Sequence, residues 1–246
     1  MGEPAPQAGG ARMRSHRRRV RGLRLLRRLP SSGPGFLTLE RFVARNLYAG
    51  GGVSRPYRFE VVHRRGVDAV AIVPFYFQRR PRRRLMVVIK MGFRPGLYLR
   101  SRLPRPLRER RSYDFVREAV AGSLEPGDRG MRGIDARARA ELLEETGLVP
   151  RHTRPIRLGA GFFPSHGQST EKVHLRAFEV DPGRAVPPSS DGSVNEEDSG
   201  TIALEVGAAL EMCQRGAIED PKIEIGVTRL CRLLGYPLSR RRPWRR

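Results

Sequence analysis

Cysteine is almost missing from this chain of 246 residues: Cys213 and Cys231 are the only two, and no Cys-x-x-Cys spacing occurs. That argues against a disulfide framework and against a cysteine-bound zinc, and it fits a reducing compartment. Long apolar runs are missing too; none approaches the roughly 18 residues that a membrane-spanning helix needs. Histidine offers no alternative metal site, because His63, His152, His166 and His174 are scattered without ligand spacing. Acids are scarce, 25 against 48 basic residues, and lysine is scarcer still: Lys90, Lys172 and Lys222 are all there are. The single tryptophan, Trp244, sits in an arginine-rich tail and says nothing about a core.

What is present in excess is arginine. The formal net charge of +23 suggests a polyanionic partner. Two details weaken that. Arginine replaces lysine almost everywhere, which looks like a codon bias, and much of the excess is terminal: residues 1–35 hold nine Arg against Glu3, and residues 236–246 hold five Arg and no acid. Nucleic acid is therefore not expected as the main partner. The stretch "RMRSHRRRVRGLRLLRRLP" is Arg-rich and acid-poor, as organelle transit peptides are. A basic arm on a cytoplasmic protein is the simpler expectation.

No internal repeat is visible. "SSGPG" (Ser31 to Gly35) marks the end of the arm, so we expect a disordered arm over residues 1–35, an ordered domain over 36–236 and a tail over 237–246. "YRFEVVHRRG" alternates as a strand does. "VDAVAIVPFYF" (Val67 to Phe77) is a continuous β-branched and aromatic run, the pattern of a strand buried on both faces. "RRPRRR" reads as a solvated hairpin turn leading into a partner strand, "LMVVIKMGFR" (Leu85 to Arg94). Pro95 to Arg111 reads as a loop, and "DFVREAVAG" as a short strand. A helix is expected over Ala136 to Thr146, with Asp135 as N-cap and Gly147 at its end. "IRLGAGFFPS" and "EKVHLRAFEV" are further strand candidates. At the end, Val206, Ala209, Leu210 and Cys213 share one helical face, and Val227, Leu230, Cys231 and Leu234 another. Strands, then a helix, then strands, then helices make an α+β sandwich the expected class.

The stretch "AELLEETGL" (Ala140 to Leu148) crowds three acids into an acid-poor chain. On a helix Glu141, Glu144 and Glu145 emerge on one face, and like charges at that spacing cost a few tenths of a kcal/mol per pair. The bland account is a solvated face with arginine neighbours. A hard divalent cation is the sharper one: Mg²⁺ takes oxygen ligands at about 2.0–2.1 Å and is readily shared between carboxylates and substrate phosphates. Ions so held would neutralise a diphosphate and lower the pKa of an attacking water.

These residues resemble the signature of the Nudix hydrolases: Gly, five residues, Glu, seven residues, then Arg-Glu-hydrophobic-X-Glu-Glu-X-Gly-hydrophobic. Gly122 opens the match, Asp128 takes the place of the first Glu, and Glu141, Leu142, Glu144, Glu145, Gly147 and Leu148 complete it. The chain departs from the pattern in Asp128, in Ala140 where the signature has Arg, and in four extra residues between them, which we assign to the loop. In the family that Arg orients the metal-binding glutamates by an ion pair. Arg137, four residues before Glu141, is placed to replace it.

The flanks are similar to the ADP-ribose pyrophosphatase branch. "EAVAG" (Glu118 to Gly122) resembles its Glu-Leu-Pro-Ala-Gly lead-in, which implies a substrate contact at Glu118 and a metal-ligating carbonyl at Ala121. "GFR" nominates Arg94 for the substrate phosphates. "GAIEDPKIEIGVTRLCRLLG" is similar to the branch's C-terminal helix. The acidic loop "DGSVNEED" corresponds to one that supplies a catalytic glutamate, so Glu196 or Glu197 is the candidate base, unless these acids only solubilise the loop. Glu171 either faces the site or alternates on a strand.

The resemblance thus implies a Nudix fold, an α/β/α sandwich with a mixed β-sheet, and Mg²⁺-dependent (or Mn²⁺-dependent) hydrolysis of a nucleoside diphosphate sugar, ADP-ribose first. Glu144 and Glu145 would be catalytic with Glu196 or Glu197, and Glu141, Glu144, Glu145 and Ala121 would hold metal. The resemblance also raises the expectation of a homodimer. The competing expectation is a catalytically impaired domain of the same fold that binds a nucleotide or nucleic acid through its arginines.

Overall fold

A computed structural model of the chain describes residues 35–47, 49, 53–78, 83–109, 111–189 and 200–238. The N-terminal arm, Glu196 and Glu197, and the tail from residue 239 on lie outside the described residues. The first elements are β1 (Thr38–Ala44) and β2 (Tyr57–His63), antiparallel and forming a sheet of their own. Phe42 and Phe59 stack across this ribbon with centroids 5.0 Å apart, yet both stay exposed, because two strands alone have no second layer to bury against.

The main sheet is built on β3 (Ala69–Gln78), whose apolar run is buried on both faces. It pairs antiparallel with β4 (Arg84–Gly92), as a hairpin requires. The expected loop after β4 contains a short helix, α1 (Pro95–Tyr98), and a 3₁₀ turn over Leu99–Arg102. The next segment splits into β5 (Val116–Glu118), which pairs with β4, and β6 (Val120–Ser123), which pairs with β3. The break between them is satisfied by Asp220, whose carboxylate accepts the Ala119 N–H at 2.8 Å. β3 pairs with β6 over Ala69–Ile72 and with β4 over Phe75–Gln78. Pro74 lies between the two ladders, which is how a proline fits a central strand.

A long helix, α2 (Gly130–Thr146), then crosses the sheet, followed by β7 (Ile156–Arg157) and β8 (Val173–Glu179), the latter parallel to β3. β9 (Gly200–Glu205) pairs with β4 and runs directly into α3 (Val206–Gln214); α4 (Pro221–Leu233) closes the domain, capped by Asp220. The sheet is mixed and its two faces are covered differently. Val70 and Ile72 pack with Ile134, Ala138 and Leu142 of α2, while Ala71, Val73 and Phe75 pack with Val206, Ala209, Val227 and Leu230 of α3 and α4. The alternation of β3 thus separates two cores, giving helix, sheet and helices in three layers. Among the described residues no helix is long and apolar enough to cross a membrane.

Several expectations are corrected. α2 starts at Gly130, so Asp135 is not its N-cap but an interior residue. Its carboxylate is taken by Arg176 at 2.5 Å and Arg157 at 2.9 Å, both on strands beneath the helix. The four extra residues accordingly lengthen the helix rather than the loop. "IRLGAGFFPS" forms only the two-residue β7 and an isolated bridge at Phe162. β9 was not anticipated. Cys213 and Cys231 are free thiols on α3 and α4, and burial pushes each up to about 11.

Candidate active site

α2 presents Ile134, Ala138 and Leu142 to the sheet at intervals of four, and the next residue toward the sheet, Glu145, is buried with them. Glu141 and Glu144 sit on the partly exposed flank. Gly147, at φ 68°, stops the helix, a left-handed conformation that glycine adopts without a steric penalty. The three glutamates line one polar cavity of about 330 Å³ with Arg94, Ala121, Gly122, Glu125 and Arg137. Glu118 does not line it; it stands behind Arg94, whose Nε donates to its two carboxylate oxygens at 3.0 and 2.8 Å.

The carboxylates are held by cations and by backbone. Glu145 Oε1 pairs with Lys90 of β4, and its Oε2 accepts the Ala121 N–H at 3.2 Å. Within an extended strand the N–H and C=O of one residue leave on the same side, so the Ala121 carbonyl also faces away from β3, toward the cavity that Ala121 lines. Glu141 lies against Gly122: a Cβ there would come within 2.0 Å of its carboxylate. Arg137 stands 3.9 Å from Glu141 and donates from Nε to Asp128 at 2.8 Å. Burial pushes the Asp128 carboxyl up, but the Glu125 N–H and the Arg137 guanidinium outweigh it and hold the group below the usual carboxylate range. Arg137 is correspondingly raised by its hydrogen bond to Asp128.

Asp128 itself is not among the residues that line the cavity; Glu125 is. Arg137 does reach toward Glu141, and Lys90 pairs with Glu145. Sequence reasoning missed both Lys90 and Glu125. Glu171 does not line the cavity; it pairs with Arg64 at 3.0 Å. Among the described residues no three His, Cys, Asp or Glu side chains are gathered into a ready metal cage. The donors are nonetheless of the right kind for a hard cation, carboxylate and carbonyl oxygen only, and the bare Cα of Gly122 leaves room for Glu141.

A second cavity, of about 460 Å³, lies across the Arg94–Glu118 pair. Its walls combine Leu97, Val116 and Tyr113 with paired charges, Arg100 with Glu109 and Arg111 with Glu219. One wall atom, Arg117 Nε, is buried without a hydrogen-bond partner among the described residues.

No family model matches the chain. It is similar to the ADP-ribose pyrophosphatases of Escherichia coli K12 and Shigella flexneri, 29% identical over 147 residues in each case. The match covers 60% of this chain, which spans 59% of the length of each of these relatives.

Proposed function

We propose that this chain is a Nudix-type pyrophosphohydrolase that cleaves the diphosphate bond of a nucleoside diphosphate sugar, ADP-ribose first among them, with Mg²⁺ or Mn²⁺ as its metal. The observation that carries this is the gathering of Glu141, Glu144, Glu145, Ala121 and Arg94 around one cavity, in a chain similar to ADP-ribose pyrophosphatases. Glu141 and Glu144, with the Ala121 carbonyl and with Glu145 behind them, would hold the metal. Bound there it would neutralise the diphosphate and lower the pKa of water. Arg94, fixed through Nε by Glu118, presents a guanidinium at the rim, a shape suited to phosphate oxygens. Arg137 restrains Glu141. The second cavity offers the space for one end of the substrate, with Tyr113 as a flat apolar surface.

Glu196 or Glu197 keeps its proposed role as base. What supports it is where their segment is anchored: Val186 N donates to Gly147 O at the end of α2, and Gly200 pairs with Met91, three residues before Arg94. Self-association through the exposed face of β1 and β2 belongs to the same proposal.

The test is turnover of ADP-ribose, other nucleotide sugars, dinucleoside polyphosphates and nucleoside triphosphates with Mg²⁺, with Glu144→Gln alongside. Cleavage of a nucleotide sugar that Glu144→Gln abolishes is the expected result. Silence across the panel would sink the hydrolase. A second reading then gains from a cavity of about 600 Å³ lined by Arg132, Arg139, Arg154 and Arg157, where the one acid, Asp135, is already neutralised. Steeply salt-dependent binding of a nucleic acid or nucleotide, without turnover, would favour it.

A further inference from the structure

β4 is apolar from Leu85 to Ile89 and then places a lysine in the core: Lys90 is 2% exposed, and its partner Glu145 is 8% exposed. The alternation of the strand puts Lys90 on the same face as Val88, which packs against α2, so the ammonium is aimed at the glutamate helix rather than at α3 and α4. A charge in such a place is tolerated only when it is paired and hydrogen-bonded. The chain uses arginine nearly everywhere, yet keeps one of its three lysines here. A compact ammonium on a slender stem fits behind a carboxylate where a planar guanidinium does not.

Glu145 is engaged through both oxygens, Oε1 by Lys90 and Oε2 by the Ala121 N–H. A buried carboxylate whose charge is already balanced attracts a further cation weakly. Glu141 and Glu144 approach the cavity from the partly exposed flank of α2. We propose that Lys90 is a resident cation behind the glutamate cavity: a positioning residue whose ammonium balances Glu145 and replaces a further divalent ion, leaving Glu141 and Glu144 to carry the metal. This rests on the reading of the cavity as a metal-dependent diphosphate site, but it claims something separate, that a lysine sets how many divalent ions the chain binds.

Mn²⁺ bound per full-length chain, counted by electron paramagnetic resonance and titration calorimetry, tests it in the wild type, in Lys90→Met and in the double variant Lys90→Met, Glu145→Gln. We expect one additional Mn²⁺ in Lys90→Met and a return to the wild-type count in the double variant. An unchanged count and Kd in Lys90→Met would overturn the proposal. Should Lys90→Met fail to fold alone, circular dichroism with added Mn²⁺ decides: recovery of the fold supports a metal taking the place of the ammonium. No recovery, under conditions where the double variant folds, overturns it. Failure of the hydrolase reading looks different. A wild type that turns over no diphosphate, while Lys90→Met gains an ion, would lose the proposed reaction and keep the lysine.

Discussion

Replacing Asp135 by Ala separates two accounts of how the glutamate helix is held. If Asp135 only capped a helix, its loss would cost about 0.5–2 kcal/mol. In the structure it is the partner of Arg176, which is 2% exposed, and of Arg157, whose side chain is 53% exposed. The exposed pair contributes about 0–1 kcal/mol. Stranding the buried one costs about 3–5 kcal/mol. Arg176 also donates to the Leu175 carbonyl, so the lower end, about 3 kcal/mol, is expected. For a domain of this size that lowers Tm by about 6–12 °C at neutral pH. Burial pushes the Asp135 carboxyl up, but the hydrogen bonds and charges of Arg157 and Arg176 outweigh it and hold the group below its ordinary value. A depressed carboxyl contributes stability that is present above its unfolded pKa of about 3.9 and is lost as pH falls through the folded value. The gap in Tm between wild type and Asp135→Asn should therefore be widest at neutral pH and shrink below about pH 4. Thermal denaturation followed by circular dichroism across that range measures both. A loss of about 1 kcal/mol or less, with no dependence on acid, would refute the buried-pair account.

Two further outcomes bear on the site. In Gly122→Ala the new Cβ meets the mobile end of Glu141 rather than backbone, so the fold should survive while Glu141 is driven from the cavity. We expect a drop of about 10-fold or more in metal affinity, read by Mn²⁺ titration, with little change in Tm. Removing the aromatic surface by Tyr113→Ala should raise KM for ADP-ribose by roughly 5-fold to 100-fold if a base stacks there, and leave kcat nearly unchanged; a KM within twofold of wild type would remove the second cavity from the substrate site.

The buried strands were legible because burial on both faces leaves an unbroken apolar run, as in "VDAVAIVPFYF", and α3 and α4 because each shows one face at intervals of three and four. β9 escaped because its residues are all half-buried, so "GTIALE" shows no alternation and merges into the helix after it. The start of α2 escaped for a different reason: its first turn, "GMRG", contains two poor helix formers and Asp135 looks like a cap, so local preference pointed six residues too late. Tertiary packing decides there. Gly133 lets the backbone of Asp128 lie against the helix, where a Cβ would come within 2.4 Å of it. Lys90 carried a signal that went unused, a lone charge inside an apolar strand of a chain that avoids lysine.

The added turn of α2 also reassigns a residue of the resemblance. Four residues advance a helix by about 400°, slightly more than one turn, and by about 6 Å. The glutamate face therefore keeps nearly its orientation, while Asp128 is moved about one turn further from Glu141 and out of the cavity lining. Arg137 spans the gap, and Glu125, beside the loop that Asp128 ties down, lines the cavity in its place. Asp128→Asn should accordingly lower Tm through the lost tie to Arg137 and leave the half-saturating Mg²⁺ concentration unchanged. Glu125 is exposed, so Glu125→Gln should change stability by no more than about 0.5 kcal/mol while raising the Mg²⁺ requirement of turnover. The reverse pair of results, a metal phenotype for Asp128→Asn and none for Glu125→Gln, would return Asp128 to the metal site and make the longer helix an incidental feature.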